Sequence, residues 1–207
     1  MRTLIEINQA LIAQSLTATD LVRGCLDRIA APEGEGARAF LRVHAEESLR
    51  QAAQARPGQS PLAGIPISIK DLFDLKGEVT TAGSRLLAIA APAVKDAPAM
   101  ARLRDAGAIF IGRTNMTEFA YGGHGINAHY GTPLNPWDRA SARVPGGSTS
   151  GGAVSVTDGM AMATIGSDTG GSVRIPSALC GITGFKPTQS RVPLEGCLLY
   201  TSPSPRD

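Results

Sequence analysis

The sequence predicts an α/β fold, in which helices alternate with short strands of one sheet. Two observations carry this prediction. Apolar residues recur at helical spacing over residues 17–29, and Thr17 is placed to cap that helix. In "GIPISIK", Ile65, Ile67 and Ile69 alternate with other residues in the manner of a strand. Helix and strand patterns therefore succeed one another along a single chain.

The remaining elements continue this alternation. Patterning predicts a helix over 46–55, a capped helix over 96–106, a short buried strand over 106–112, a helix of small residues over 152–158 and a strand over 160–166. The segments 113–138 and 167–188 are rich in Gly and turn-forming residues, so we expect them to be irregular.

Composition excludes several classes of protein. The 207 residues are 43% hydrophobic and 18% charged, which is enough apolar surface for a sizeable core. A net charge of +2 without a basic block argues against direct nucleic-acid binding. No apolar run has the length of a membrane span and the N-terminus does not resemble a signal peptide, so we expect a cytoplasmic location. The widely spaced Cys25, Cys180 and Cys197 are expected to be thiols rather than disulfide partners, with Cys180 buried.

The segment "PGGSTSGGAVS" (145–155) carries three hydroxyls between glycine pairs and has three interpretations. A phosphate-binding loop would need Lys followed by Ser or Thr at the helix start, and that pair is missing. A flexible linker is disfavoured because the residues that follow at once, Ala, Val, Ser and Val, have the character of a buried segment. A catalytic serine site remains, and it requires a group that accepts the proton.

A second glycine-rich segment, "DTGGSVRIP", offers donors for an oxyanion. Gly170 and Gly171 allow the backbone N–H groups of 169–172 to converge beside Ser172. Neither segment matches the G-x-S-x-G nucleophile elbow. His44, His124 and His129 are poorly placed to act as the base.

Lysine can replace histidine as the base of a serine hydrolase if it is neutral when it acts. Lys70 lies near the end of the predicted strand among apolar residues, and Asp71 would point to the opposite side of that strand. A second serine between the lysine and the nucleophile could relay the proton. Alone, Lys70 would be read as an ordinary lysine at a strand end.

Three segments together resemble the amidase signature family of serine hydrolases. They are "GIPISIKD" (64–71), "PGGSTSGGAVSV" (145–156) and "GSDTGGSVRIPSALCGITGFKPT" (166–188), and the connecting "GRTNMTEFAYGG" and "GTPLNPWD" are similar to that family too. The resemblance implies an α/β/α fold with a mixed central sheet flanked by helices, incomplete at the C-terminus.

The resemblance also implies residue roles: Lys70 as base, Ser148 as bridging serine after a cis peptide bond, Ser172 as nucleophile, and the N–H groups of Thr169, Gly170, Gly171 and Ser172 as the oxyanion hole. Thr149 departs from the second serine common in the family. Thr149 and Ser150 are expected to give supporting hydrogen bonds. No metal or organic cofactor is implied.

The function implied is that of an amidase, which hydrolyses a linear carboxylic amide through an acyl-enzyme and releases ammonia or an amine. The glutaminase subunit of a tRNA-dependent amidotransferase is the alternative within the family, and a non-catalytic family member is a second alternative. The partner expected is a small-molecule amide, with a homodimer as one arrangement, or amidotransferase subunits under the first alternative.

The last eleven residues, "CLLYTSPSPRD", break the pattern of the rest of the chain. They resemble the translation of a sequencing-library adapter. We therefore expect residues 1–196 to be the N-terminal part of a single amidase signature domain and 197–207 to be a non-native tail.

Overall fold

The computed structural model describes residues 3–198, which form a mixed four-stranded sheet covered by helices. The strands are β1 (Phe40–Val43), β2 (Pro66–Lys70), β3 (Ile109–Thr114) and β4 (Ala163–Ile165), in the order β1-β3-β2-β4. β2 runs parallel to both β3 and β4, whereas β1 is antiparallel to β3. The predicted α/β class with a mixed sheet is confirmed.

The helices of the described residues are α1 (Leu4–Ile12), α2 (Ala18–Ala30), α3 (Gly36–Ala39), α4 (Ala45–Gln54), α5 (Pro98–Asp105), α6 (Ser150–Thr157) and α7 (Arg174–Cys180). α2 and α4 agree with the predicted bounds to within one residue, and the Thr17 side chain caps α2 by accepting from the Asp20 N–H. α1 and α3 were not predicted. α7 occupies the middle of the segment expected to be irregular.

The predicted helix over 96–106 begins later and without its expected cap. It starts at Pro98, and no side chain caps it. The Asp96 carboxylate instead accepts from the Lys76 N–H at 2.7 Å and pairs with Arg104 at 2.8 Å. The sequence pattern assigned the Asp96 carboxylate to the helix cap. In the structure this carboxylate instead forms a tertiary hydrogen bond and an ion pair.

β2 is buried on both faces, including the positions of Ser68 and Lys70. Ser68 hydrogen-bonds to Ser155 of α6 at 2.9 Å, so Ser68 and Lys70 face α6. Ile67 and Ile69 point the other way, into a core shared with α1, α2, α4 and α5. The strand thus carries its polar residues on a face that is covered, and that face leads to the candidate site.

Small residues let α6 approach the end of β3 closely. A Cβ on Gly151 would lie 2.2 Å from the carbonyl oxygen of Ala39 and 2.8 Å from the Asn115 nitrogen. Ala153 and Val154 of the same helix pack in a second core cluster with residues of β1, β3 and α7. This tight packing fixes the height of the turn that precedes α6.

The two residues that open the predicted tail belong to the core. Cys197 is buried and forms an isolated antiparallel bridge with Phe73, while the Leu198 N–H donates to the Leu72 carbonyl at 3.0 Å. The rest of that tail, 199–207, lies outside the described residues. In the part of the chain that is described, no helix combines the length and apolar character needed to cross a bilayer.

The close approach at α6 predicts opposite outcomes for two helical Gly→Ala changes in the complete protein that contains this chain. Gly151→Ala should lower the free energy of unfolding by about 1 to 3 kcal/mol, because the Cβ meets backbone atoms that cannot rotate away. Gly24→Ala, on α2, meets only the end of the Arg28 side chain and should raise that energy by roughly 0.5 to 1 kcal/mol. Chemical denaturation of both variants checks this, and a Gly151→Ala variant as stable as Gly24→Ala would contradict it.

Candidate active site

The Lys70 amino group lies at the centre of a buried cluster of hydroxyls. Lys70 ends β2 and is fully buried. Its Nζ lies 2.7 Å from Ser148 Oγ and 2.8 Å from Ser167 Oγ. No carboxylate forms an ion pair with Lys70 within the described residues. A buried amino group with only hydroxyl partners is chemically suited to losing its proton.

The turn before α6 holds Ser148 over Lys70. The Gly147 N–H donates to the Gly123 carbonyl at 2.8 Å, and the Thr117 N–H donates to the Ser148 carbonyl at 3.1 Å. The peptide bond between Gly147 and Ser148 is cis, as the resemblance implies. Two backbone hydrogen bonds from the long loop after β3 therefore fix the serine on both sides.

Ser172 lies beside this turn but is not joined to Ser148 by a hydrogen bond. The Thr149 N–H donates to the Ser172 carbonyl at 3.2 Å, which brings the loop before α7 against the start of α6. The Ser172 hydroxyl makes no hydrogen bond with any residue of the range 3–198. The structure thus brings Lys70 and Ser148 into contact and leaves the step from Ser148 to Ser172 open.

Asp168 organises the loop that carries Ser172. Its carboxylate accepts from the backbone N–H groups of Gly171, Val173 and Arg174 at 2.8 to 3.2 Å, and from the Arg174 guanidinium at 2.9 Å. The Arg174 hydrogen bonds hold the pKa of Asp168 well below its usual range, even though burial opposes this. The carboxylate is therefore ionised and shapes the loop through backbone contacts.

This arrangement corrects the predicted oxyanion hole at one position. The Gly171 N–H is engaged by Asp168 Oδ1 and is not available to a substrate in this conformation. The N–H groups of Thr169, Gly170 and Ser172 donate to no acceptor among the described residues. Gly171 serves the loop in another way, because its φ of +122° favours glycine.

Burial lowers the pKa of Lys70 to about 7. Desolvation is the main cause, because an ammonium group loses its hydration when it is enclosed. Asp168 and Cys197 act in the opposite direction and favour the charged form. Lys70 is therefore balanced between its neutral and its charged form near neutral pH.

Asp71 forms no ion pair with Lys70. This agrees with the predicted position of Asp71 on the other side of the strand. Its Oδ1 lies 2.5 Å from Arg113 Nε, and both side chains are 2% exposed. Arg113 also donates to the Phe73 carbonyl at 2.8 Å. The carboxylate adjacent to Lys70 in sequence is thus neutralised on the opposite face of the sheet.

The residues expected to give supporting hydrogen bonds differ from that expectation. Thr149 is buried, but its hydroxyl has no hydrogen-bond partner among the described residues, so its predicted role is not seen. A Cβ on Gly166 would lie 2.6 Å from this hydroxyl, which shows how closely the glycine backbone packs around it. Ser150 Oγ reaches the Asn115 carbonyl at 3.5 Å, a weak contact.

The histidines and Cys180 lie outside the reactive cluster, as expected. His44 Nδ1 lies 3.2 Å from the Phe110 carbonyl, and His129 faces Glu118 at the surface. His124 makes no hydrogen bond within 3–198. Burial raises the pKa of the Cys180 thiol to about 12, so this thiol stays protonated.

Sequence reasoning missed Ser167 and Asp168. Both stand inside the quoted segment "GSDTGGSVRIP", so their proximity to Ser172 was visible. What the sequence does not show is that the chain turns there so that Ser167 meets Lys70, 97 residues away, while Asp168 turns back on its own loop. The only sequence feature that could have indicated these two residues is that a serine directly precedes the loop aspartate.

Lys70 and Ser148 are buried, whereas the loop that carries Ser172 is partly exposed, with Thr169 and Gly170 at the surface. Two cavities of about 470 and 730 Å³ lie elsewhere, one beside His44 and Phe110 and the other beside Trp137 and Leu179. Neither contains Lys70, Ser148 or Ser172. The reactive geometry therefore defines the site, and cavity size does not.

Comparison with known proteins shows the family of this chain. The Amidase family profile matches residues 20–205. The chain belongs to the Amidase family. One curated relative is the A subunit of the glutamyl-tRNA(Gln) amidotransferase of Maridesulfovibrio salexigens, 43% identical over 205 residues that cover 97% of this chain and 41% of the relative. The chain thus spans about two-fifths of that relative's length.

Solved structures of the Amidase family show the same fold. A crystal structure of an amidase is 37% identical and superposes with a TM-score of 0.85, covering 95% of this chain and 45% of that one. The A subunit of the glutamyl-tRNA(Gln) amidotransferase of Thermotoga maritima is 36% identical with a TM-score of 0.77, covering 89% of this chain and 38% of that one. Both amidases and amidotransferase subunits are therefore similar to this chain.

The lowered pKa of Lys70 predicts a pH-dependent cost of burying this side chain. Between a folded pKa of about 7 and an unfolded pKa of about 10.4, the unfolded state binds more protons. The free energy of unfolding therefore rises with pH across this window, by roughly 5 kcal/mol at most. Lys70→Met lacks this dependence. The free energy of unfolding of Lys70→Met minus that of the wild type should therefore decrease as pH rises from about 7 to about 10.

Chemical denaturation of the complete protein at several pH values measures this difference. Lys186→Met, at an exposed lysine, is the control and should show no such trend. A stability difference between Lys70→Met and wild type that is constant over the window would show that Lys70 keeps an ordinary pKa.

Proposed function

We propose that the chain carries the reactive part of an amide hydrolase, with Ser172 as nucleophile, Ser148 as proton relay and Lys70 as base. The 2.7 Å contact between Lys70 Nζ and Ser148 Oγ is the observation that carries this proposal. It joins a fully buried amino group to a serine that backbone hydrogen bonds hold in place. A purely structural lysine at a strand end would be stabilised by a carboxylate or by solvent.

The two hydroxyl partners of Lys70 suit different tasks. In the neutral amine, one N–H donates to Ser167 Oγ and the lone pair accepts the O–H of Ser148. Ser167 thereby orients the lone pair toward Ser148. Because the pKa of Lys70 is near 7, the neutral form is populated without a large free-energy cost.

The proposed reaction is acyl transfer. Ser172 Oγ attacks the amide carbon as its proton passes to Ser148 Oγ, whose own proton passes to Lys70 Nζ. The tetrahedral intermediate then loses its C–N bond, and the relay returns the proton to the departing ammonia or amine. Water cleaves the resulting ester by the same route and regenerates Ser172.

The loop before α7 would stabilise the oxyanion. The N–H groups of Thr169, Gly170 and Ser172 have no acceptor among the described residues and lie in the loop that carries the nucleophile. Asp168 holds this loop through Gly171 and its neighbours. Preorganised backbone donors of this kind contribute more than flexible side chains would, because no reorganisation is needed during the reaction.

Two candidate functions differ in the amide that is hydrolysed, and the relatives support the two about equally. Similar solved structures include amidases, which favours hydrolysis of a linear amide by the protein alone. Relatives named as the A subunit of glutamyl-tRNA(Gln) amidotransferase, at 43 to 47% identity, favour a glutaminase subunit that works with partner subunits. Hydrolysis of simple amides and of glutamine by the purified complete protein, with and without such partners, distinguishes the two.

We propose further that residues 1–196 are the N-terminal part of one domain. The chain spans 41% of the relative's length, and the loop that carries Ser172 is partly exposed. The walls of a substrate pocket would then come from the part of the relatives that this chain does not span. The substrate is a small molecule under either candidate function, and a cytoplasmic location is part of the same proposal.

Two substitutions test the reactive residues in the complete protein. Ser172→Ala and Lys70→Ala should each lower the kcat for amide hydrolysis by at least about 1000-fold, because each removes a participant in bond formation or proton transfer. Ser141→Ala, at an exposed serine, is the matched control and should retain full activity. Near-normal hydrolysis by either Ser172→Ala or Lys70→Ala would overturn the assignment.

A further inference from the structure

The face of β2 opposite Lys70 carries a second buried group of charges. Asp71 follows Lys70 directly, and Arg113 lies on the adjacent strand β3, where it pairs in register with Ile69. Ile69 and Asp71 are two residues apart and share a face, so the Asp71–Arg113 pair lies on the side of the sheet away from Ser148. The sheet therefore separates Lys70, which has only hydroxyl partners in the described part of the chain, from a carboxylate that is paired with an arginine.

Several hydrogen bonds hold the pair in addition to its own contact. Asp71 accepts from Arg113 Nε at 2.5 Å, from the Thr81 hydroxyl, and from the Gly83 N–H at 3.3 Å. Arg113 Nη2 donates to the Phe73 carbonyl at 2.8 Å. Its Nη1 has no hydrogen bond among the described residues.

This geometry has an electrostatic consequence for the base. An unpaired carboxylate one residue from Lys70 would favour its ammonium form, since both groups are buried where charges are weakly screened. Arg113 cancels that effect by pairing with Asp71. We infer that the Asp71–Arg113 pair is a positioning element of the proposed hydrolase, which keeps Lys70 available as a neutral base by holding the adjacent carboxylate in a locally neutral unit.

The other charged groups around these residues are themselves paired. On the site face, Asp168 is paired with Arg174, and Cys197 is the further titratable neighbour of Lys70. On the opposite face, Glu78 Oε2 lies 3.5 Å from Arg113 Nη1.

Glu78 is held by two further groups. His44 lies 3.1 Å from it and Arg42 lies 3.6 Å from it. Against the effect of burial, His44, Arg113 and Arg42 lower the pKa of Glu78. Asp71 is thus the charged residue closest to Lys70 in sequence. Removing either Asp71 or Arg113 alone would change the net charge of their pair.

The test uses the rate at which a fluorophosphonate labels Ser172 in the complete protein as a function of pH. Labelling needs neutral Lys70, so the rate should rise with pH through the pKa of this group. Asp71→Asn removes one negative charge next to Arg113, which should move this rise to lower pH by roughly one unit. The double variant Asp71→Asn/Arg113→Met removes both charges and should return the rise to the wild-type pH.

Two further variants complete the design. Asp27→Asn removes an equal charge at the surface and should leave the rise unchanged. If Asp71→Asn does not fold, Arg113→Met is measured instead and should move the rise to higher pH. A purely structural pair would change the yield or the maximal rate without these directed shifts.

The inference rests on the proposed function, and the outcomes separate the two. A wild-type protein that the probe does not label would overturn the proposed function itself. A wild type that is labelled, with the rise at the same pH in Asp71→Asn, or in Arg113→Met where that is the variant measured, would overturn only the role of the ion pair. A double variant whose rise stays displaced would also overturn it.

Discussion

The burial of the Lys70 amino group, with no carboxylate partner among residues 3–198, is the constraint on which the site depends. An ammonium group enclosed in this way would leave its charge uncompensated, and the structure supplies two serine hydroxyls in place of an anion. Hydroxyls satisfy the hydrogen bonds of the neutral amine without favouring the charged form as a carboxylate would. The low pKa of Lys70 follows from this environment.

The rest of the fold serves to enclose and aim that amino group. β2 is covered on both faces, so Lys70 reaches no solvent through the sheet. The small residues of α6 bring the turn with Ser148 down onto the strand end. The loop before α7 brings Ser167 to the same nitrogen and holds Ser172 nearby through the contacts of Asp168. Asp71, which follows Lys70 in sequence, and Asp168, in the loop that carries Ser172, each pair with an arginine.

The fold class could be predicted from sequence patterns, whereas the contact between Lys70 and Ser148 was implied by the resemblance to the amidase signature family. Helical periodicity indicated α2, and glycine-flanked hydroxyls together with a lysine after an apolar strand pointed to the reactive residues. Other features depended on contacts between distant parts of the chain. Asp96 looked like a helix cap but binds Lys76 and Arg104, and Arg113 lies 42 residues from the carboxylate that it neutralises. Loop geometry decided that the Gly171 N–H belongs to Asp168, since four consecutive donors look alike in sequence.

The central claim is that Lys70 is a neutral base near physiological pH, and a direct titration of its side chain tests it. The chemical shift of the Lys70 side-chain carbon next to Nζ, followed by NMR in selectively labelled complete protein, reports its protonation as pH changes. Resonance assignment comes from the spectrum of Lys70→Met. If burial lowers the pKa of Lys70 as described, the midpoint lies near pH 7. A midpoint near the ordinary lysine value of about 10.4 would contradict the account.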